Sequence, residues 1–256
     1  MTGSSVSVAA HLASPPPKEF IVQIQGSIAL VTGSNRGIGR QYVAQLLDRG
    51  AAKVYATSRN GQPVDLPGAV PLSLELTDPA AVRAAAEAAA DVTVLINNAG
   101  VDSHVDLVAG DLDAVRRDME VNYFGTLSVV RAFAPVLARN GGGAIVNVLS
   151  ALSWFSWPGE GAYAAAKAAA WSLTNSIRLE LAAQGTHVTG VHVGAVDTDF
   201  SANYDGAKID PADVARATLD GLASDALEIL VDTWSADIKA ALARDPRDFY
   251  SQLSAA

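Results

Sequence analysis

Residues 28–50 read Ile-Ala-Leu-Val-Thr-Gly-Ser-Asn-Arg-Gly-Ile-Gly-Arg-Gln-Tyr-Val-Ala-Gln-Leu-Leu-Asp-Arg-Gly. The stretch opens on a continuously apolar run, Ile28–Thr32, which suits a short strand buried on both faces. Gly33, Gly37 and Gly39 then break the run, and apolar residues recur at helical spacing until Gly50 closes a helix over about 37–49. A buried strand, a glycine-rich turn and a helix, in that order, build the place where an open α/β sheet meets a dinucleotide. Glycine lets the backbone approach a pyrophosphate, whose charge faces the unpaired amides of the helix's first turn. The spacing is G-x3-G-x-G rather than G-x-G-x-x-G, and taken alone it also suits an ordinary turn between strand and helix.

Working outward, the same texture continues along the chain. Strands are expected at 53–57, 70–76, 92–97, 144–149, 186–193 and 228–232. Between them, Asp78-Pro79 and Asp210-Pro211 each pair an N-cap with proline at the first helical position, opening helices to Ala90 and Leu222. Further helices are expected from Asp111 or Asp113 to Arg139, with a bend at Pro135, over 158–183 and over 235–243. Apolar β-runs alternating with helices predict a single-domain, Rossmann-type, doubly wound parallel sheet with helices on both faces, an α/β fold. This catalytic domain is expected to span 23–256. Residues 1–22, small, polar and proline-punctuated, read as a disordered or loosely attached extension.

Composition narrows the function classes. A net charge of −9 with dispersed basic residues argues against nucleic acid and against an anionic membrane surface. The absence of cysteine excludes disulfides and thiolate metal sites. His11, His104, His187 and His192 show no metal-ligand spacing, so no metal is expected, and His187 and His192 read as structural. No apolar run reaches the length of a membrane span, and the N-terminus lacks a basic segment followed by a long apolar one. The expectation is a soluble, cytoplasmic protein.

Candidate chemistry lies downstream of the turn. Tyr163 and Lys167 are four residues apart in an alanine-rich helix and share a face. An ammonium beside a phenol favours the phenolate, which suits general acid–base work on a carbonyl or alcohol. Ser150 precedes them across a Gly/Pro-containing loop and offers a hydroxyl donor. Asn97-Asn98-Ala99-Gly100 ends a strand at the edge where ligands bind, and Asn122 sits in mid-helix against its propensity. Singly, each has a plain reading: a surface pair, a turn, a core amide.

Together, T-G-x3-G-x-G at 32–39, N-N-A-G at 97–100, Asn122, Ser150 and Y-x3-K at 163–167 stand in the order and spacing of the short-chain dehydrogenase/reductase family, which the chain closely resembles over about 26–245. The resemblance implies an oxidoreductase that interconverts a ketone or aldehyde and an alcohol by hydride transfer. Tyr163 is then the general acid or base, Lys167 holds the nicotinamide ribose and lowers the Tyr163 pKa, and Ser150 holds the substrate oxygen. Asn122 holds a water that relays protons to Lys167. The cofactor is expected against Gly33, Ser34, Asn35, Arg36, Gly37, Ile38 and Gly39, then Ser58, Arg59 and Asn60, and Glu75 and Leu76. Asn98, Ala99 and Gly100, Tyr163 and Lys167, and Gly194, Val196 and Thr198 complete that set. Ser58 stands where NAD-preferring relatives carry an acid, and Arg36 and Arg59 suit a 2′-phosphate, so NADP(H) is favoured over NAD(H). Three departures stand out: Glu75 for the more usual aspartate, Val193 for the proline before Gly194, and Leu149 for a small polar residue. Losing the proline is expected to loosen the following loop.

On the substrate side, Leu152, Trp154, Phe155 and Trp157 concentrate aromatic and apolar residues between Ser150 and Tyr163. Leu152, Trp154 and Phe155, with Ser150 and Tyr163, form the expected substrate pocket for an apolar or aromatic compound, although packing roles suit Trp154 and Phe155 equally. Asp102 and His104 read as surface loop residues or as the cleft's opposite edge. The short segment 199–210 predicts an open cleft. The family resemblance implies a homodimer or homotetramer through the helices carrying Asn122 and Tyr163. Two alternatives stay open: a non-catalytic, cofactor-sensing Rossmann regulatory protein, and an epimerase or lyase on the same fold.

Overall fold

Strands flanked by parallel neighbours and covered on both faces have no solvated side, which is why Val, Ile, Leu and Ala fill them. The computed structural model describes residues 22–253. In it, β1 (Ile28–Val31), β2 (Lys53–Ser58), β3 (Ala69–Ser73), β4 (Val94–Asn97), β5 (Gly143–Val148), β6 (Thr186–His192) and β7 (Glu228–Leu230) form one seven-stranded sheet. Every pairing is parallel, in the order β3-β2-β1-β4-β5-β6-β7. The order reverses between β1 and β4, so a crevice opens at their carboxyl ends.

The helices are α1 (Gly37–Asp48), α2 (Pro79–Ala88), α3 (Leu112–Met119), α4 (Thr126–Arg139), α5 (Gly161–Glu180), α6 (Pro211–Ala223), α7 (Thr233–Ala241) and α8 (Pro246–Leu253). Side chains alternate across the sheet with the strand period. Ala29 and Val31 pack with Val43 and Leu46 of α1 and Leu219 of α6. Leu30 and Leu95 pack on the other face with Val129 and Phe133 of α4 and Ile177 of α5. The expected doubly wound α/β architecture is therefore present.

Several details differ from the sequence expectation. Val22 is buried in the first of these cores and belongs to the packed domain, whereas residues 1–21 of the expected extension lie outside the described residues. β3 is a partly exposed edge strand, which explains how it carries Pro71 without losing an inner ladder bond. The expected single helix from 111 to 139 is interrupted by a π-helical turn, Glu120–Gly125, while Pro135 lies within α4. α8 went unpredicted because few of its residues are apolar, yet Phe249 anchors it beside Phe155 and Ile238. Contrary to expectation, the segment Leu112–Arg139 is long and apolar enough to cross a membrane by composition. Val129, Val130, Phe133, Val136 and Leu137 of this segment pack on the sheet, as a core helix requires, whereas Leu112 and Phe124 are exposed.

Candidate active site

The glycine-rich turn is held by contacts that leave no room for side chains. Gly33 and Gly37 have φ of +63° and +53°, and a Cβ on Gly33 would come within 2.9 Å of the Ala99 Cα. Gly39 has ordinary backbone but tighter surroundings: a Cβ there would meet the Gly33 carbonyl oxygen at 2.2 Å. Asn98 stitches the turn to the end of β4, its Nδ2 donating to the carbonyls of Thr32 (3.0 Å) and Gly33 (3.1 Å). Thr32 Oγ1 in return accepts the amides of Asn98 and Ala99. Arg36 occupies the N-cap of α1 without a capping side-chain bond, so the amides of the helix's first turn keep their capacity for an anion.

A cleft of about 2130 Å³ lies over this turn, large enough for a dinucleotide and a substrate together. It brings together Gly33, Asn35, Arg36, Gly37 and Ile38 with Ser58, Arg59, Asn60, Glu75 and Leu76. Asn98, Ala99, Gly100, Ser150, Leu152, Tyr163, Lys167, Gly194, Val196 and Thr198 line the same cleft. Ser34 and Gly39 do not. Ser34 is buried with its amide and hydroxyl both on the Thr57 carbonyl, so it ties the turn to β2, and Gly39 packs beneath the turn.

Trp154 and Phe155 are also corrected. Trp154 stacks on His192, with centroids 3.9 Å apart and an 18° interplanar angle, and meets Trp171 edge-on. Phe155 packs against Trp234 and Phe249. The loop turns these rings inward because a cluster around Ile238 and Ala241 of α7 is there to bury them. The cleft's apolar wall comes instead from Leu152, Trp157, Phe200, Tyr204 and Trp234. Nothing periodic in the sequence marks the last three, which follow β6 and β7 in loops and helix ends.

Tyr163 and Lys167 rise from the first turns of α5, both buried. Lys167 Nζ donates to the Val148 carbonyl at 2.9 Å and lies 5.5 Å from the Tyr163 ring centre. Ser150 follows β5 by two residues and caps a short 3-10 turn, its Oγ accepting the Leu152 amide at 3.1 Å. Burial pushes the Tyr163 phenol up, the Asp102 charge adds to this, and the bond to Ser150 pulls it partly back. Lys167 is lowered by burial to about 8, against a smaller opposing effect of Asp102. The expected depression of Tyr163 by Lys167 is thus outweighed by burial and nearby carboxylates.

Asn122, in the π-helical turn, stands behind the cleft rather than in it. Its Nδ2 donates to the carbonyls of Val101 (2.8 Å) and Asp118 (2.9 Å), and its Oδ1 accepts the Val101 amide. A Cβ on Gly100 would lie 2.7 Å from that Oδ1 and 3.7 Å from Lys167 Nζ, so only bare backbone separates the two side chains.

Sequence spacing hid one cluster at the cleft edge. His104 Nδ1 is 2.9 Å from Glu160 Oε1, and Asp102, His104 and Glu160 place their ligand-type atoms within 4.8 Å of one another. Asp102 is raised above the ordinary carboxylate range by burial and by its bond with Glu160. Burial would lower His104, but Glu160 and the Asp102 charge raise it overall. These residues come from the loop after β4 and the end of the loop before α5, which only the folded sheet brings together.

The loop after β6 is not slack. Gly194 N–H donates to Asp232 Oδ2 at 2.8 Å, and Val196 pairs with Ile209. The segment 199–210, expected to leave the cleft open, carries Phe200 to 5.7 Å from the Tyr163 ring. Leu149, unusual before Ser150, is accommodated because Gly190 on β6 presents no Cβ, which would lie 3.1 Å from Leu149 Cδ1.

Residues 27–208 match the family described as short chain dehydrogenase. A short chain dehydrogenase from Burkholderia cenocepacia, solved in complex with NADP, has 40% identity and a TM-score of 0.85, covering 90% of this chain and 99% of its own. An uncharacterized oxidoreductase of Staphylococcus saprophyticus is 31% identical over 216 residues, 78% of this chain and 92% of that relative. A Burkholderia phymatum enzyme of the same family, solved with NAD, shares the fold with a TM-score of 0.78 at 23% identity, covering 90% and 96% of the two chains.

Proposed function

The chain belongs to the short-chain dehydrogenase/reductase family of oxidoreductases, and on that premise we propose that it uses NADP(H) to interconvert a ketone or aldehyde and an alcohol. One observation carries the reading: Ser150, Tyr163 and Lys167 converge on the cleft that the glycine-rich turn also lines.

The turn fits a dinucleotide through its left-handed glycines and the uncapped start of α1. Gly33, Asn35, Gly37 and Ile38 would hold the pyrophosphate. Ser58, Asn60 and the guanidinium groups of Arg36 and Arg59 would hold the adenosine ribose and its 2′-phosphate, and Arg40, one helical turn after Arg36, lines the same cleft. Glu75, Leu76, Asn98, Ala99 and Gly100 would flank the adenine and the ribose beyond, and Gly194, Val196 and Thr198 the nicotinamide. The NADP complex of the 40% identical Burkholderia cenocepacia protein supports this preference. When bound, the cofactor supplies or accepts the hydride.

The chain's own residues handle the proton. In reduction, Tyr163 Oη–H donates to the carbonyl oxygen, and burial, by raising its pKa, keeps that proton in place until an oxygen arrives. Ser150 Oγ accepts the Leu152 amide, so its hydrogen, directed to the Tyr163 oxygen, would turn to the substrate oxygen beside it and stabilise the developing charge. Lys167, protonated at neutral pH, offsets the phenolate left behind. Asn122 fixes the Gly100–Val101 backbone against which Lys167 lies. Leu152, Trp157, Phe200 and Trp234 favour an apolar or aromatic carbonyl compound, with Asp102 and His104 as a polar edge. Phe124 and Leu179, which α5 and the π-helical turn expose, support an association of copies through α4 and α5.

The test is oxidation of NADPH, followed at the nicotinamide absorbance, with aliphatic and aromatic ketones and aldehydes. Turnover that Tyr163→Phe lowers by about 100-fold or more, with cofactor binding kept, is expected. No turnover across the panel, or full activity of Tyr163→Phe, overturns the assignment.

A further inference from the structure

Behind Ser150 stands a column of rings and charges with no part in the chemistry above. His192, the last residue of β6, is fully buried, and its Nδ1 lies 3.1 Å from the Ser150 carbonyl oxygen. A carbonyl only accepts, so Nδ1 carries the hydrogen and the neutral ring leaves Nε2 bare. That nitrogen has no hydrogen-bond partner, and Glu228 Oε1 is 3.7 Å from it. The Glu228 carboxylate is engaged elsewhere, by Trp171 Nε1 at 3.0 Å and by the Lys239 ammonium. Trp154 lies flat on the imidazole, and Lys239 sits over the Trp154 ring at 5.4 Å.

The contact matters because of what else holds Ser150. Its amide donates to Ser153 Oγ and its Oγ accepts the Leu152 amide, both within the same short turn. The flanking residues continue the pairing with β6, Leu149 N–H on the Val191 carbonyl and Ala151 N–H on the Val193 carbonyl. The Ser150 carbonyl has two donors, the Ser153 amide at 3.0 Å inside the turn and the His192 ring from β6. Without the imidazole the carbonyl keeps only the bond inside its own turn, so the turn loses one of its ties to β6 and Oγ shares the slack.

We propose that His192 is a positioning residue for the reaction: its Nδ1–H, clamped by the Trp154 stack, fixes the Ser150 peptide and so aims Ser150 Oγ at the substrate oxygen. This rests on the carbonyl-reductase reading. The charged groups around the ring are Glu228 from β7, Lys239 from α7 and Lys167 from α5. Burial, with the charges of Lys239 and Lys167, lowers His192 to about 4 against the bond to Ser150, so the ring stays neutral at working pH. The aromatic-rich loop thereby becomes a brace for the catalytic serine.

Two measurements test this. Nitrogen-15 NMR of the full chain at neutral pH should find the His192 proton on Nδ1, and a proton on Nε2 or on both nitrogens overturns the proposal. In kinetics, His192→Phe keeps a ring on Trp154 but removes the donor, whereas His192→Asn restores a donor near the Nδ1 position. His192→Phe should lower kcat about 100-fold, with KM for the carbonyl and NADPH binding unchanged, as a displaced catalytic group does. His192→Asn should recover most of that loss. Equal impairment of both variants, or full kcat in His192→Phe, overturns the positioning role. Should the parent enzyme reduce no carbonyl, the reductase reading fails, and the NMR then decides alone. A Ser150 carbonyl resonance that moves in His192→Phe supports the clamp, and one that stays put overturns it.

Discussion

The Lys167 ammonium nitrogen lies 5.5 Å from the centre of the Tyr163 ring while it donates to the Val148 carbonyl at 2.9 Å. Burial acts on the two groups in opposite directions, raising the phenol and lowering the ammonium, because it disfavours the charged form of each. At neutral pH the pair is a protonated phenol beside a cation. That state is ready to give a proton away and to stabilise what remains.

The pH dependence follows. Lys167 loses its charge as pH rises through about 8, and above that value the phenolate formed on proton donation has no cation beside it. Carbonyl reduction should therefore slow as pH rises through about 8, measured as kcat/KM with saturating NADPH. Stability moves the other way in part of this range. Between about 8 and the ordinary lysine value of 10.5, the unfolded chain holds the Lys167 proton more tightly than the native one, so this group's contribution to stability rises with pH. Above the ordinary tyrosine value of 10.0 the raised Tyr163 reverses the trend, since the unfolded chain then releases a proton that the native one keeps. Lys167→Met should remove the first of these two slopes from urea midpoints measured against pH. A reduction rate indifferent to pH across this window would refute the pairing.

Gly39→Ala tests the packing under the glycine-rich turn. The added methyl would sit 2.2 Å from the Gly33 carbonyl oxygen and 2.7 Å from Asn98 Nδ2, both fixed by backbone or by the hydrogen bonds of Asn98. Strain of this kind costs about 1–3 kcal/mol and moves backbone. Urea denaturation should show that loss, together with weaker NADPH binding. Gly26→Ala, where a Cβ would meet nothing within 4 Å but the φ is +77°, separates backbone strain from crowding and should leave NADPH binding intact.

Arg36 offers a test of cofactor choice that stability should not confuse. It is exposed and paired with the equally exposed Asp199 at 3.0 Å. Exposed pairs contribute about 0–1 kcal/mol, so a phosphate can take the guanidinium over and Arg36→Ala should scarcely change the urea midpoint. A charge-assisted bond to a phosphate is worth about 1.5–3 kcal/mol, so Arg36→Ala with Arg59→Ala should raise the NADPH Kd by at least about 10-fold. NADH binding should be unaffected. Equal losses for both cofactors would place these residues away from the 2′-phosphate.

Much of this was legible in the chain itself, and the parts that were not share a cause. The run from Ile28 to Gly50 predicts β1, the turn and α1 because each depends on local spacing. Tyr163 and Lys167 share a helix, so their proximity also follows from spacing. Trp154 and Phe155 could not be placed that way: whether a ring in a loop faces a cleft or a core depends on β6, α7 and α8, which lie far along the chain. His192 reads as a buried strand residue, and only the turn at Ser150 gives its Nδ1 a partner. The same holds for Ser34, whose hydroxyl is taken by Thr57 of the neighbouring strand. Asp102, His104 and Glu160 meet only once β4 and α5 are in place.

Asp232 ties down the loop in which Val193, not proline, precedes Gly194. Its Oδ2 accepts the Gly194 amide at 2.8 Å, and its Oδ1 accepts the Ser235 amide at 2.7 Å as the N-cap of α7. One carboxylate thus fastens the loop after β6 to the helix that presents Trp234 to the cleft. Asp232→Ala removes a cap worth about 1 kcal/mol and leaves a half-buried N–H whose desolvation costs about as much again. A total near 2 kcal/mol should appear in urea denaturation. Because Gly194, Val196 and Thr198 line the cleft, the same change should raise KM for the cofactor more than it lowers kcat. Asp232→Asn, which keeps an acceptor for one of the two amides, should fall between. A loss of stability without any change in cofactor KM would mean that the loop is held by the Val196–Ile209 pairing alone.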